Sequence, residues 1–142
     1  MRTVAIYPGR FHPFSLGHKA VYDKLLADPS IDDVYIVTSA KQNDTDSPFS
    51  YADKVAMMTK TGVPPGRIIQ VKNPYKAEEL LSKFDPATTA VVFMVGQKDM
   101  SEDPRFAMNP KKDGSPSYFQ SYDKNKNNLK GFDQHGYLIV AP

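Results

Sequence analysis

Three adjoining stretches decide how this chain is read: Arg2-Thr3-Val4-Ala5-Ile6-Tyr7, then Gly9-Arg10-Phe11-His12-Pro13-Phe14-Ser15-Leu16-Gly17-His18, then Lys19-Ala20-Val21-Tyr22-Asp23-Lys24-Leu25-Leu26. The first is nearly all apolar, as a strand buried on both faces of a parallel sheet must be. The second is a short loop with glycine at both ends. The third carries a helical pattern. Strand, tight loop and helix start in that order make a phosphate site, because the first N–H groups of a helix have no internal partners and carry partial positive charge. Glycine at such a place lets a phosphate come close to the backbone. His18, at the start of the helix, is placed to donate to a phosphoryl oxygen.

Outward from this stretch, strand and helix patterns alternate. Gly17 to Ala27 reads as a helix with Ala20, Val21, Leu25 and Leu26 toward the sheet, ended by Asp28-Pro29-Ser30. Asp33 to Ser39 is a second strand, followed by a polar loop from Ala40 to Ser47. Ser50 caps a second helix, Tyr51 to Lys60, with Asp53 as its capping-box partner and Val55 and Met58 buried. Gly62-Val63-Pro64-Pro65-Gly66 breaks it. Arg67 to Val71 is a third strand. Lys76 to Phe84 is a third helix with Leu80, Leu81 and Phe84 as its stripe. Ala90 to Val95 is a fourth strand, leading into Gly96-Gln97-Lys98-Asp99. From Ser101 to Gln134 periodicity fades, and Asp113–Ser117 and Lys124–Asn128 have loop composition; a connection of this length is functional or mobile. Gly136 to Ala141 is a final strand.

The pattern predicts an α/β fold, a Rossmann-like doubly wound parallel sheet of about five strands with helices on both faces. Ligands of such sheets sit outside the carboxyl ends of the strands, where the strand order switches. The loop after the first strand, the Lys41 loop and Gly96–Asp99 all emerge at that edge.

Composition narrows the function. With 142 residues, 40% hydrophobic and 24% charged, the chain suits one globular domain, residues 1–142, with residues 101–134 as a long loop region. A formal net charge of +2 argues against a protein that coats nucleic acid. Cysteine is absent, which removes disulfides, thiolate metal sites and a cysteine nucleophile, and suits a reducing cytoplasm. No apolar run approaches the ~18 residues of a membrane span, so no membrane partner is expected.

The loop resembles the signature of the HxGH nucleotidylyltransferase superfamily, roughly G-x-F-[D/Q]-P-x-[H/T]-x-G-H. Gly9, Phe11, Pro13, Gly17 and His18 match in order and spacing, and the G-R-F-x-P-F opening looks closest to the archaeal-type nicotinamide mononucleotide adenylyltransferases. His12 stands where the family has Asp or Gln, and Ser15 where it has His or Thr, keeping a hydroxyl. Ser47-Pro48-Phe49-Ser50-Tyr51 with Lys54 resembles the family's N-P-F-[S/T]-x-x-x-R segment, Lys replacing Arg as a point charge. Gly96 and Asp99 resemble its G-x-x-D turn, where base and ribose approach.

The resemblance implies transfer of a nucleoside monophosphate, AMP ahead of CMP, from a nucleoside triphosphate to a small phosphate-bearing acceptor, with release of pyrophosphate. The nucleophile is already an anion, so catalysis is positioning and charge neutralisation. His18, Ser15 and Lys41 are the candidate catalytic residues. Gly9, Arg10, Phe11, His12, Gly17, Gly96 and Asp99 are the candidates for holding nucleotide and phosphate. Each has a plainer reading: Ser15 as a helix cap, Arg10, Lys41 and Lys98 as solvated charges, Phe11 with Pro13 and Phe14 as loop packing, His12 as a loop residue, Asp99 as a turn cap. Arg105 is a further candidate for folding onto ligand. Mg²⁺ is implied with the triphosphate; no carboxylate cluster suggests a protein metal cage, and His12, His18 and His135 lack zinc spacing.

The superfamily usually continues after its last strand with a motif resembling I-S-S-T-x-I-R. None is found here, and the reading expects a piece of a longer protein that lacks its covering helix. Two alternatives stay open: a nucleotide-binding domain of a larger protein that does not turn its ligand over, and a relative of the class I aminoacyl-tRNA synthetase fold, against which the length and small net charge count. The oligomeric state is left open.

Overall fold

The computed structural model describes residues 1–43 and 48–141, and of Arg105 the backbone alone. The expected roles of Ser47 and of the Arg105 side chain lie outside that description. In chain order the elements are β1 (Arg2–Pro8), α1 (Leu16–Leu26), β2 (Asp33–Thr38), α2 (Tyr51–Lys60), a 3₁₀ turn (Pro65–Arg67), β3 (Ile68–Gln70), α3 (Glu78–Leu81), β4 (Thr89–Gly96), α4 (Gln97–Glu102), a second 3₁₀ turn (Pro104–Phe106), β5 (Phe119–Ser121), α5 (Tyr122–Asn125) and β6 (Gly136–Ala141).

The strands form one parallel sheet in the order β3-β2-β1-β4-β6-β5. From β1 the chain goes outward to β2 and β3, then returns to place β4 on the other side of β1. The strand order therefore reverses between β1 and β4, where Ile6 pairs with Phe93, and the crevice that opens there is the ligand position of this architecture. Both central strands are buried along their length apart from their ends, which is why they read as unbroken apolar runs.

Alternate residues feed two cores. Ala5, Tyr7, Ile36, Val92 and Met94 pack with Phe11, Phe14, Tyr22, Leu25 and Met58 on the α1/α2 face. Val4, Ile6, Val37, Val91, Phe93 and Val95 pack with Val71, Leu80 and Phe106 on the other. At the amino edge of the sheet Asp33, nearly buried, is bracketed by Arg2 at 2.6 Å and Arg67 at 3.2 Å, and Arg67 lies over the Tyr35 ring.

Several expectations are corrected. The sheet has six strands, because Phe119–Ser121 adds a short edge strand inside the stretch expected to be loop, and α4, the second 3₁₀ turn and α5 occupy parts of the same stretch. In α1 the sheet-facing position is taken by Tyr22 with Leu25; Val21 is half-buried, and Ala20 and Leu26 are exposed, Leu26 roughly 100° round from Leu25 and Ala20 on the far side of the helix. The helix expected over 76–84 is reduced to Glu78–Leu81, because Asn73 ties the preceding turn and Ala77 takes a left-handed φ of 50° that no helix propagates through. Helix α2 keeps the expected bounds and its Ser50–Asp53 capping box. It buries Met58, half-buries Val55, and also buries Lys54.

Candidate functional site

The loop after β1 is shaped by an aromatic cluster. Gly9 continues the strand for one more bond, its N–H reaching the Val37 carbonyl at 3.2 Å. The chain then reverses with Phe11 at φ 51°, an uncommon backbone for a bulky residue. It is held there because the Phe11 ring is buried edge-on to Tyr7 (5.2 Å), Phe14 (5.4 Å) and His18 (5.2 Å). The ring lies against Gly9 so closely that a Cβ there would fall 2.9 Å from its tip. Gly9 and Phe11 thus serve one another, and Phe11 both shapes the loop and walls the cavity described below.

Ser15 caps α1 with a reciprocal box: the His18 N–H donates to Ser15 Oγ at 3.3 Å, and the Ser15 N–H donates to His18 Nδ1 at 2.9 Å. A backbone donor needs a lone pair at Nδ1, so the neutral imidazole carries its proton on Nε2. The ring is stacked on Phe14 at 5.5 Å. Burial, and then the neighbouring His12, hold the His18 pKa below the usual imidazole value. The result is a neutral ring, fixed in tautomer and orientation, with one N–H to give. Ser15 takes only the N–H of His18. Helix geometry gives those of Leu16 and Gly17 no internal acceptor.

These groups open onto a cavity of about 220 Å³ at the β1/β4 crevice, lined among others by Gly9, Arg10, Phe11, His18, Tyr75, Gly96 and Asp99. Gly96 and Asp99, expected in a turn, are the N-cap and first turn of α4. Tyr75 comes from the loop between β3 and α3, and its hydroxyl donates to Asp99 Oδ2 at 3.2 Å. Burial first, then the Asp99 charge and hydrogen bond, push the Tyr75 phenol up to about 12.

Not every candidate meets there. Ser15, Gly17 and His12 are exposed beside the start of α1, outside the cavity lining. Lys41 lines a separate hollow of about 600 Å³ with Ser39, Gln70, Lys72 and Glu79 at the ends of β2 and β3. Lys98 is exposed on α4. Lys54 is fully buried rather than a surface point charge: its ammonium donates to the Ser39 carbonyl at 3.1 Å and to Thr38 Oγ1 at 3.4 Å, and Thr38 in turn donates to the Arg10 carbonyl at 3.5 Å. Burial, then Arg10, lowers the Lys54 pKa. A buried cation thus sits beneath the loop and braces it. A larger groove of about 650 Å³ between α1 and α5 contains none of the motif residues. Among the described residues no cluster of three or more His, Asp or Glu could hold a metal, and no helix is long and apolar enough to cross a membrane.

Sequence reasoning missed Tyr75 and the bracing role of Lys54. Asn73-Pro74 after the third strand is a turn signal at the same carboxyl edge as Lys41, and that topology would have placed Tyr75 near the crevice.

A parallel sheet whose first crossover presents a glycine loop and a capped helix start at the strand switch defines a mononucleotide-binding α/β domain. The chain belongs to the cytidylyltransferase-like family, whose model matches residues 6–112 and so spans the whole cavity lining except Ala141; this makes it a nucleotidyltransferase-type domain. Solved structures agree on the fold. A putative nicotinate-nucleotide adenylyltransferase from Vibrio parahaemolyticus is similar at TM-score 0.52 and 16% identity, over 100% of this chain and 74% of that one. The nicotinic acid mononucleotide adenylyltransferase of Plasmodium falciparum is similar in its complex with NaAD, at TM-score 0.58 and 15% identity over 100% and 76% of the two chains. Its complex with APC matches at TM-score 0.54 over the same shares. No curated protein matches the sequence.

Proposed function

We propose that this protein transfers a nucleoside monophosphate from a nucleoside triphosphate to a small phosphate-bearing acceptor, and that the nucleotide is ATP in preference to CTP. The observation that carries the proposal is the Ser15–His18 lock, which presents a neutral N–H donor at a helix start beside the crevice. An acceptor phosphate oxygen attacks the α-phosphorus. One P–O bond forms, the bond to the bridging α–β oxygen breaks, and its electron pair leaves with pyrophosphate. Nothing needs deprotonating, so the groups needed are donors, and the site offers His18 Nε2, the open N–H groups of Leu16 and Gly17, and the cation Arg10, while Lys54 braces the loop from beneath. Gly17 leaves the start of α1 bare, and Lys41 lies along the same edge, where an anionic acceptor would approach. The likeness to solved adenylyltransferases favours the adenylyl group.

Magnesium would be carried by the triphosphate, screening its charge during attack. The donor set fits that role better than a protein cage. Asp99 is the one acid lining the crevice among the described residues, and one of its oxygens is already engaged by Tyr75.

The test is calorimetric binding of Mg-ATP and Mg-CTP to the wild-type protein and to His18→Ala. ATP binding that weakens about tenfold in the variant is expected, as for loss of one hydrogen bond to a charged group. Preference for CTP would overturn the assignment of the base. Binding of neither by wild type would overturn the proposal.

A further inference from the structure

Tyr7, near the carboxyl end of β1, carries a polar group that the fold does not use. The residue is only 8% exposed and belongs to the α1/α2 core. Its ring meets Phe11 edge-on at 5.2 Å, and the His18 ring lies 6.4 Å away. Other deeply buried phenols are partnered: Tyr122 donates to Asp28 Oδ2 at 3.1 Å, and the Tyr137 oxygen accepts the Lys130 N–H at 2.8 Å. The Tyr7 hydroxyl has no hydrogen-bond partner among the described residues. Tyr22 lacks one as well, but it lies among the charges of Arg67, Lys19 and Asp23 and lines no part of the crevice.

Among the described residues, every side-chain nitrogen or oxygen sealed away from solvent is hydrogen-bonded. The unpartnered Tyr7 oxygen is therefore not sealed. The hollow that Tyr7 lines is the crevice cavity, together with Gly9, Arg10 and His18. The hydroxyl thus opens onto the space a ligand would fill. Burial pushes this phenol up to about 12, so at neutral pH it keeps its proton. An O–H held in a recess without an acceptor is costly. The side chains of Arg10 and His18, at the same wall, are donors too. A group that meets all of them must accept without donating. A phosphoryl oxygen does so, whereas an amino group would set donor against donor.

We infer that the Tyr7 hydroxyl is a binding residue, which hydrogen-bonds a phosphoryl oxygen of the nucleotide alongside the His18 Nε2–H. The inference rests on the nucleotide reading above and deepens it, adding a donor from the strand itself to those of the loop and helix. Because the hydroxyl bonds nothing within the protein, its removal separates binding from stability.

The experiment compares wild type with Tyr7→Phe, which removes the oxygen and keeps the ring and its aromatic contacts. Calorimetric affinity for Mg-ATP is expected to fall about tenfold, as for loss of one hydrogen bond to a charged group. The urea midpoint without nucleotide is expected to stay or rise, since no bond inside the protein is lost. Unchanged affinity overturns the inference. Affinity and midpoint falling together overturn it as well, since the hydroxyl then serves the fold. Phosphorus NMR of the Mg-ATP-saturated proteins locates the contact: a phosphate resonance displaced in the variant is expected. Resonances that coincide in the two proteins put the hydroxyl elsewhere on the nucleotide and overturn the phosphoryl assignment. Each of these failures leaves the nucleotide reading standing, whereas wild type that binds no Mg-ATP overturns both.

Discussion

His18 cannot take a second proton without losing the bond that orients it, since Nδ1 would then face the Ser15 N–H as donor to donor. Its pKa is lowered by burial and by His12, so the unfolded chain binds a proton before the folded one does as pH falls. Stability contributed by the lock is therefore complete above the ordinary imidazole value of about 6.5, and declines as pH falls from there through the lower folded value. Denaturant midpoints measured across that window should fall more for wild type than for His18→Asn, and nitrogen NMR of the ring should report the Nε2–H tautomer. Gly17 makes a complementary case. A Cβ there meets only Ser15 Oγ at an ordinary 3.5 Å, so the fold does not require glycine. Gly17→Ala should leave stability unchanged or raise it by about 0.5 kcal/mol, while weakening ATP affinity at least about tenfold by covering the bare helix start. Stability and affinity moving together would contradict this. The motif residues were legible because their chemistry is local: Ser15 and His18 are three apart and cap the same turn. Tyr75 was not, since its meaning lies in a contact with Asp99 across 24 positions. Lys54 was misread because a lysine is normally solvated; here Thr38 and Ser39 supply the acceptors that let it be buried.

At the scale of elements, legibility followed the strength of the end signals. Helix α2 has a capping box at one end and a glycine just past the other, and both bounds could be read. Helix α3 has neither, and Ala77 in the left-handed region begins it late. The three-residue β5 has no period to detect, so only the sheet reveals it. The segment before β6 is instead pinned by contact. Gly131 lies so close to the backbone of Pro86 and Ala87 that a Cβ would fall 2.3 Å from the Pro86 carbonyl oxygen, and its neighbours Phe132 and Asp133 bond to Thr89 and Pro86. Gly131→Ala should cost about 2 kcal/mol or more in chemical denaturation, because backbone on both sides must shift. A loss below about 0.5 kcal/mol would mean the segment can move aside.

For the whole molecule, the two edges of the sheet divide the labour. The carboxyl edge carries the crevice, and the amino edge carries Asp33 between Arg2 and Arg67. Asp33→Ala should lower stability by about 1–2 kcal/mol, since a nearly buried carboxylate and its bonds to two partly exposed arginines are lost. Calorimetry should find ATP affinity within about twofold of wild type, a change of under 0.5 kcal/mol. The strand order adds a constraint of another kind. β6 follows β5 in the chain yet sits between β5 and β4, and among the described residues β5 pairs with no other strand. A ribosome emitting this polypeptide therefore releases β5 before the strand it pairs with, leaving side-chain anchors, Phe119 on Phe93 and Phe106 and the Tyr122 hydroxyl on Asp28, to hold it in the meantime. Nascent chains stalled ahead of Gly136 should leave that stretch open to protease, and completion of the sheet waits on the arrival of a single strand.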